Sequence, residues 1–260
     1  MPARLLILGG TVEASRLAAA AAARFAGLQV IVSLAGRLPA RLPPPGCRVH
    51  RGGFGGEDGL AHYLTDAGID LVIDATHPFA AIISRHAAAA CTTAGVPRLL
   101  LLRPPWSPTA EDRWVQVTAA AAAAARVPAL GRRVFLTTGP GSLAPFAASA
   151  AAADLWFLVR LFEPPSAPLP LPRHQVVVAR PPFELADEVE LLRRHAIDVV
   201  VSKQSGGPLQ AKLHAAARLG LPVVMIVRPA KPEGDRAADT DAALAWLAAR
   251  LGPAPGGAAS

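Results

Sequence analysis

One short segment near the start of this chain combines residues that suit phosphate binding. Residues 5–8 are apolar and lead directly into Gly9, Gly10 and Thr11. Glycines at such a turn let a phosphate approach backbone N–H groups at the start of a helix, where the helix dipole also favours an anion. We therefore predict that Gly9, Gly10 and Thr11 hold the pyrophosphate of a dinucleotide.

The end of the next apolar run indicates which dinucleotide this is. An NAD site needs an acidic residue there to bond the ribose hydroxyls, but residues 28–37 contain none. Ser33 and Arg37 suit a 2′-phosphate instead, because a guanidinium pairs with phosphate in a bidentate way. We predict NADPH as the coenzyme, and an ordinary surface role for Arg37 is the alternative.

A second glycine motif matches the dinucleotide-binding pattern more literally. Gly139, Gly141 and Ala144 fit G-x-G-x-x-A after a predicted strand at residues 133–137. Pro140, however, removes one backbone N–H at a turn where donors are needed. We favour the first motif, and the opposite assignment, with the coenzyme in the second half of the chain, is the alternative.

Two further candidate groups, His77 and Lys203, follow the buried apolar runs 69–74 and 197–202. An imidazole there can donate a hydrogen bond or a proton. A structural role, in which His77 fixes the turn before Pro78, is the alternative. Lys203 is harder to explain as a structural residue, and a ligand carboxylate is its natural partner.

The elements that must position these residues occur twice along the chain. Segments 69–104 and 197–229 each contain an apolar strand, a loop, an Ala-rich helix and a second apolar strand, which is a βαβ unit. In both, an Arg-Pro pair stands six and seven residues after the proline of a Gly-x-Pro sequence. We predict an α/β fold of two Rossmann-like, parallel-sheet domains related by internal duplication, with a ligand cleft between them. The predicted domains are 1–117, for the coenzyme, and 118–251, for the substrate, and 252–260 is a predicted disordered tail.

The charge of the chain restricts the class of partner. Its 260 residues carry a formal net charge of +7, and its pI is about 10.6. The basic residues are scattered, which argues against nucleic acid and favours a polyanionic small molecule; a compositional bias is the alternative. The two cysteines cannot form a metal site alone, and we predict no metal. No signal peptide or apolar run of membrane-spanning length occurs, so we expect a cytoplasmic protein without a membrane partner.

Several motifs together resemble the precorrin-6A reductase family of cobalamin biosynthesis, over about residues 4–229. In chain order they are Gly9-Gly10-Thr11 with Glu13-Ala14, Ala35-Gly36-Arg37, Gly52-Gly53-Phe54-Gly55-Gly56, Asp74-Ala75-Thr76-His77-Pro78-Phe79-Ala80, Thr137-Thr138-Gly139, and Ser202-Lys203 with Ser205-Gly206-Gly207 and Lys212. The fourth and the last of these runs are the most specific, since neither is a generic nucleotide motif. The chain departs from the family pattern at Val12, at Pro181 and in residues 208–210.

The resemblance implies an NADPH-dependent oxidoreductase that reduces a ring-D carbon–carbon double bond of precorrin-6A, a polycarboxylate tetrapyrrole, to give precorrin-6B. The product would be handed over to the next enzyme of the pathway. The expected coenzyme site comprises Gly9, Gly10, Thr11, Ser33, Ala35, Gly36, Arg37, Thr76, His77 and Pro78. The expected substrate site comprises Lys203, Ser205, Gly206, Gly207, Lys212, Arg85, Arg160 and Arg180. His77 is the candidate catalytic group.

Two rival functions remain open. One is the cobalt-precorrin-6A reductase of the anaerobic pathway, in which the metal belongs to the substrate. The other is a non-catalytic, two-lobed binding protein for an anionic ligand. Oxidation of NADPH on addition of precorrin-6A discriminates the reductases from the binding protein.

Overall fold

The computed structural model describes residues 2–34, 44–149 and 151–252 and divides into two compact units. The first unit combines the chain up to Pro104 with the chain from Ala230 onward, and the second runs from Pro105 to Pro229. The chain therefore leaves the first unit once and returns to it.

The described residues form twelve strands and eight α-helices. The strands are β1 (Arg4–Leu8), β2 (Gln29–Leu34), β3 (Cys47–Arg51), β4 (Leu71–Asp74), β5 (Arg98–Leu101), β6 (Arg113–Val117), β7 (Arg133–Leu136), β8 (Trp156–Leu161), β9 (His174–Val178), β10 (Val199–Lys203), β11 (Pro222–Ile226) and β12 (Asp235–Ala237). The helices are α1 (Val12–Arg24), α2 (Gly56–Asp66), α3 (Ala81–Ala94), α4 (Ala120–Arg126), α5 (Ala144–Ala147), α6 (Leu185–Arg194), α7 (Ala211–Arg218) and α8 (Thr240–Leu251). Within the described ranges, no helix has both the length and the apolar character needed to cross a bilayer.

The strands form two six-stranded parallel sheets of matching topology. The first has the order β12-β5-β4-β1-β2-β3 and the second has the order β6-β11-β10-β7-β8-β9. Every strand pair in both sheets is parallel. This arrangement confirms the predicted α/β fold with two Rossmann-like sheets, and it makes β1 to β5 the counterparts of β7 to β11.

The apolar runs form strands because the sheets are covered by helices. In β1, Leu5 and Ile7 pack into one core with α1 and α8, whereas Leu6 and Leu8 pack into a second core with α2 and α3. A strand buried on both faces has no exposed positions, which explains its continuous apolar sequence. Each fully buried Leu or Ile stabilises the fold by about 1.5–3 kcal/mol. These two cores fix the carboxyl end of β1, where the first glycine motif begins.

The sixth strand of each sheet comes from the other copy of the repeat. β6 follows β5 along the chain but pairs with β11, and β12 follows β11 but pairs with β5. The predicted boundaries are therefore corrected: β6 lies in the second unit, and β12 and α8 lie in the first. A strand pattern predicts that a strand exists, but two similar apolar sheet edges leave open which of them it joins. The predicted tail 252–260 lies, beyond Gly252, outside the described residues.

Candidate active site

The turn after β1 has the geometry of a phosphate-binding turn. A Cβ on Gly9 would lie 3.0 Å from Cγ1 of Val32 and 3.1 Å from the carbonyl oxygen of Ser33, so Gly9 lets β1 and β2 pack closely. Gly10 has φ +103°, a conformation that side-chain-bearing residues rarely adopt, and a Cβ there would meet nothing within 4 Å. The space over Gly10 is thus open for a ligand, as the sequence predicts for a pyrophosphate site.

Thr11 fixes this turn in place. Its hydroxyl donates to the carbonyl oxygen of Ala75 at 2.7 Å and accepts from the N–H of Ala14 at 3.1 Å. The second contact is an N-cap of α1, which satisfies one of the helix's otherwise unpaired N–H groups. The first joins the turn to the end of β4. Thr11 therefore positions the turn and leaves ligand contact to the backbone.

Beyond the end of β4, Thr76 is committed to a buried carboxylate. Oδ1 of Asp74 accepts from the N–H of Thr76 at 3.1 Å and from its Oγ1 at 2.6 Å. Asp74 is fully buried, and among the described residues its Oδ2 has no hydrogen-bond partner. The side chain of Thr76 thus serves the loop rather than a ligand, so its predicted place in the coenzyme site depends on its backbone.

The hydrogen bond that His77 accepts defines its tautomer. Nδ1 lies 3.2 Å from the N–H of Phe79 and accepts from it. A neutral ring with Nδ1 as acceptor carries its proton on Nε2. Protonating Nδ1 would break this bond, so the geometry favours His77 as a hydrogen-bond donor through Nε2 over His77 as a proton source. It also supports the alternative of a structural role in the turn around Pro78.

The carboxyl ends of β1, β4 and β5 converge on one small cavity of about 10 Å³. Its lining residues are Thr11, Glu13, Ala75, Thr76, Pro78, Leu101, Leu102 and Arg103. Glu13 alone would repel a pyrophosphate nearby, but Arg103 pairs with it at 2.5 Å. Arg103 is thus a site residue that the sequence reasoning missed, although it belongs to the repeated Arg-Pro pair.

The predicted 2′-phosphate site is described only in part. Ser33 is buried at 7% exposure in β2, and its carbonyl oxygen accepts from the N–H of Gly9 at 2.9 Å. Ala35, Gly36 and Arg37 lie outside the described residues. The prediction that they bind the coenzyme stays a prediction.

The rival glycine motif has a different local structure. Gly139 has φ +79°, but a 3₁₀ turn over Pro140–Ser142 follows it, and α5 has only four residues. By contrast, α1 has 13 residues. A helix dipole strengthens with aligned peptide units, so the first motif has the stronger anion site.

In the second unit, the loop after β10 carries the predicted substrate residues Lys203, Ser205, Gly206 and Gly207. Lys203 ends the strand, and burial lowers its pKa. The N–H of Ser205 donates to the carbonyl oxygen of Lys203 at 2.7 Å, and Gly206 and Gly207 have φ +67° and +80°. This tight turn lies at the carboxyl edge of the sheet, where open α/β sheets bind ligands.

Arg160 is held in a buried ion pair. Its guanidinium makes a bidentate pair with the carboxylate of Glu188, at 2.6 and 3.0 Å, and lies over the rings of Phe135 and Phe183. The side chains of Arg160 and Glu188 are only 7% and 2% exposed. The predicted substrate contact of Arg160 stays a prediction. Sequence reasoning missed Glu188 because it stands in the charged pattern of an amphipathic helix.

Lys212 belongs to the same charged cluster. Burial, with a contribution from Arg160, lowers the pKa of Lys212 to about 7, and the Glu188 carboxylate opposes this shift. The cluster therefore carries a net charge of +1 when Lys212 is protonated. A cation that is this poorly solvated suits a carboxylate ligand, in line with its predicted place in the substrate site.

The pH dependence of stability should report the lowered pKa of Lys212. Between pH 7 and about 10 the unfolded chain holds a proton on Lys212 that the folded chain has lost, so the free energy of unfolding should rise with pH. Lys212→Met should remove this contribution and show a flatter profile. Urea unfolding of both proteins from pH 7 to 10 measures the difference, and identical slopes would mean that Lys212 has an ordinary pKa.

The two remaining predicted arginines are both exposed. Arg85 is exposed on α3, in the first unit. Arg180 is exposed in the second unit and donates to Glu163 at 2.5 Å and to the carbonyl oxygen of Phe162 at 3.1 Å. Their predicted substrate contacts stay predictions.

Comparison with known proteins agrees with this geometry. The chain is 47% identical over 246 residues to "Precorrin-6A reductase" of Rhodobacter capsulatus, covering 94% of this chain and 96% of that protein. It is 47% identical over 247 residues to the protein of the same name from Rhodococcus erythropolis, with coverages of 94% and 97%. A solved structure titled "CobK precorrin-6A reductase" superposes with a TM-score of 0.87 at 46% identity, over 98% of this chain and 99% of the other. The family described as precorrin-6x reductase CbiJ/CobK matches residues 4–248, and the chain belongs to this family.

Proposed function

We propose that this protein catalyses the NADPH-dependent reduction of precorrin-6A to precorrin-6B, with the coenzyme on the first unit and substrate carboxylates on the second. The observation that carries the coenzyme assignment is the Gly10 turn. Its φ of +103° and the open space over it occur at the start of a 13-residue helix. The small cavity that Thr11 and Thr76 line also lies at the carboxyl edge of this sheet.

The first unit fits a dinucleotide for three further reasons. The backbone around Gly10 and the N-terminus of α1 offer N–H donors to a pyrophosphate. The Glu13–Arg103 pair removes a repulsive charge from the first turn of α1. Arg37 would bind a 2′-phosphate, which is the argument for NADPH over NADH.

The second unit fits an anionic substrate. Lys203 is held at the end of β10 with partial burial. In the same unit, the Arg160–Glu188–Lys212 cluster carries one net positive charge when Lys212 is protonated. A tetrapyrrole with several carboxylates needs such cations. Two nitrogens of the Arg160 guanidinium are engaged by Glu188, and its charge lowers the pKa of Lys212.

In this reaction the main role of the protein is to align the coenzyme with the substrate. NADPH supplies the hydride when it is bound, and the protein must orient the reacting groups and exclude water. The Nε2–H of His77 can hold a carbonyl group of the coenzyme or substrate by a hydrogen bond. With Nδ1 engaged by Phe79, the proton for the second carbon comes from another group or from solvent.

The proposal is tested by adding precorrin-6A to the protein and NADPH. We expect NADPH oxidation with the wild type and much slower oxidation of NADH. Arg37→Ala should lower the preference for NADPH about 10- to 100-fold, because a bidentate charge-assisted contact contributes roughly 1.5–3 kcal/mol. Equal use of both coenzymes by the wild type would contradict the NADPH assignment.

The same assay distinguishes the substrates. Metal-free and cobalt-loaded precorrin-6A are compared at equal concentration, and the faster substrate identifies the pathway variant. Lys203→Ala should raise the dissociation constant for the substrate about tenfold. An absence of turnover with both substrates, together with tight binding of them, would favour the binding protein.

A further inference from the structure

We propose that Trp106 and Lys231 are positioning residues at equivalent places in the two repeats, and that each fixes the ligand-binding loop of the unit it enters. Trp106 fixes the loop after β10, and Lys231 fixes the loop after β4. Only the identity of the ligand at each loop rests on the proposed function.

The equivalence follows from the repeat. Trp106 stands three residues after Arg103, and Lys231 stands three residues after Arg228, each behind one of the two Arg-Pro pairs. Both lie in the connection by which the chain passes from one unit to the other. The loops they contact follow β4 and β10, which are counterparts in the two sheets. One position in the repeat therefore has the same task in both units, although the two side chains differ.

In the second unit, Trp106 is joined to its loop by four hydrogen bonds. Its indole Nε1–H lies 2.9 Å from the carbonyl oxygen of Gly207 and 3.2 Å from that of Pro208. Its backbone N–H donates to Oε1 of Gln204 at 3.0 Å, and its carbonyl accepts from Nε2 of Gln204 at 2.9 Å. Trp106 and Gln204 are only 6% and 7% exposed. The side-chain amide of Gln204 thus pairs with the backbone N–H and carbonyl of Trp106, as a neighbouring strand would. The indole binds the carbonyls at the end of the loop.

Arg228 supports the same loop from the other connection. Its Nε donates to the carbonyl oxygen of Gln204 and its Nη2 donates to that of Ser205, both at 2.8 Å. The carbonyls at positions 204, 205, 207 and 208 are therefore all bound by a Trp or an Arg side chain. Lys203 lies at one end of this immobilised segment, so its ammonium group starts from a fixed backbone.

In the first unit, the ammonium group of Lys231 joins the His77 loop to the start of α3. Nζ donates to Oγ of Ser84 at 2.5 Å and to the carbonyl oxygens of His77 and Ala80, each at 3.4 Å. Ser84 is fully buried, and its own Oγ donates to the carbonyl oxygen of Ala80. A cation at a helix N-terminus is opposed by the helix dipole. Its placement is explained by the carbonyls it binds, which fix the backbone of His77.

Such contacts affect ligand binding by preorganisation. A loop that is held in its binding conformation loses less conformational freedom when the ligand arrives. Loss of the contact should therefore weaken the ligand of that loop alone. It should also let the amide hydrogens of that loop exchange faster, which needs no ligand.

The test uses apolar substitutions that remove the donor. Trp106→Phe removes the indole N–H, and Trp156→Phe is its matched control, at the amino end of β8 in the same unit. Lys231→Met removes the ammonium group and Lys231→Arg restores a cation. Amide exchange is measured over residues 77–84 and 203–208, and dissociation constants are measured by titration with NADPH and with precorrin-6A.

We expect Trp106→Phe to speed amide hydrogen exchange in residues 203–208. It should also raise the dissociation constant for precorrin-6A about tenfold and leave the NADPH affinity unchanged. Lys231→Met should speed amide hydrogen exchange in residues 77–84 and raise the dissociation constant for NADPH about tenfold. Lys231→Arg should recover most of the NADPH affinity. Trp156→Phe should change neither loop.

Four other results would be decisive. Unchanged exchange in both loops, or faster exchange with unchanged affinities, overturns the positioning proposal. If exchange is faster but Trp106→Phe weakens NADPH binding and Lys231→Met weakens precorrin-6A binding, positioning is supported. The assignment of coenzyme and substrate to the units is then overturned. Equal loss of both affinities in both variants, in parallel with the melting temperature, overturns the proposal in favour of a general loss of stability.

Discussion

Gly10→Val is expected to lower the affinity for NADPH by about 100-fold or more, with the fold retained. A Cβ at Gly10 points into open space, so the valine side chain would occupy the volume proposed for the pyrophosphate. Removing two charge-assisted hydrogen bonds accounts for an effect of this size. The φ of +103° adds backbone strain of about 1–3 kcal/mol. Fluorescence titration with NADPH measures the affinity, and thermal unfolding shows whether the protein remains folded.

Gly139→Val is the matched control for this strain. Gly139 also has a positive φ, +79°, and a Cβ there also meets nothing within 4 Å. Both variants should therefore lose similar stability, and only Gly10→Val should lose coenzyme affinity. If Gly139→Val abolishes NADPH binding and Gly10→Val does not, the coenzyme belongs to the second unit.

The sequence predicts the inner strands and helices well because burial leaves a strong pattern. β1, β4, β7 and β10 lie within two residues of the predicted runs, since strands buried on both faces are continuously apolar. The predicted strands did not include β3, β9 or β12. In β3 the sequence Cys-Arg-Val-His-Arg is partly exposed along its length, so it lacks the apolar pattern of an inner strand.

The exchange of the sixth strands could not be predicted from the same pattern. β6 and β12 are partly exposed strands, and neither segment specifies which of two parallel sheet edges it joins. Which edge a strand joins depends on packing over the whole unit, a property that one segment does not encode. The repeat did contain a relevant signal, because the two Arg-Pro pairs stand where the chain passes between the units.

The candidate site was predicted at the level of loops and less well at the level of side chains. The turns at Gly10, His77 and Lys203 all lie at carboxyl ends of strands, as the motifs indicate. Thr11 and Arg160 are nevertheless engaged by partners that are distant in sequence. Such pairings depend on the fold as a whole, so the residue type alone suggested a ligand contact for both.

The second large effect is expected from Glu188→Ala, which should lower the free energy of unfolding by about 3–5 kcal/mol. The substitution leaves the guanidinium of Arg160 buried without its counter-charge, beside Lys212, whose pKa the carboxylate helps to raise. A loss of this size is a large part of the roughly 5–15 kcal/mol that stabilises a typical domain. Urea unfolding followed by circular dichroism measures it, and Glu188→Gln, which keeps shape and acceptor oxygen, should lose less.

Removing both charges distinguishes two contributions to the free energy of unfolding: the cost of burying an unpaired Arg160 and the stabilisation by the ion pair itself. The double variant Arg160→Met/Glu188→Leu keeps the volume at this site apolar, between the rings of Phe135 and Phe183. Because desolvation offsets much of the attraction in a buried ion pair, the double variant should be close to wild type in stability. Recovery of stability would show that Glu188 is retained to neutralise Arg160. A double variant as unstable as Glu188→Ala would instead show that the pair itself stabilises the fold. If Glu188→Ala is as stable as the wild type, Arg160 is solvated.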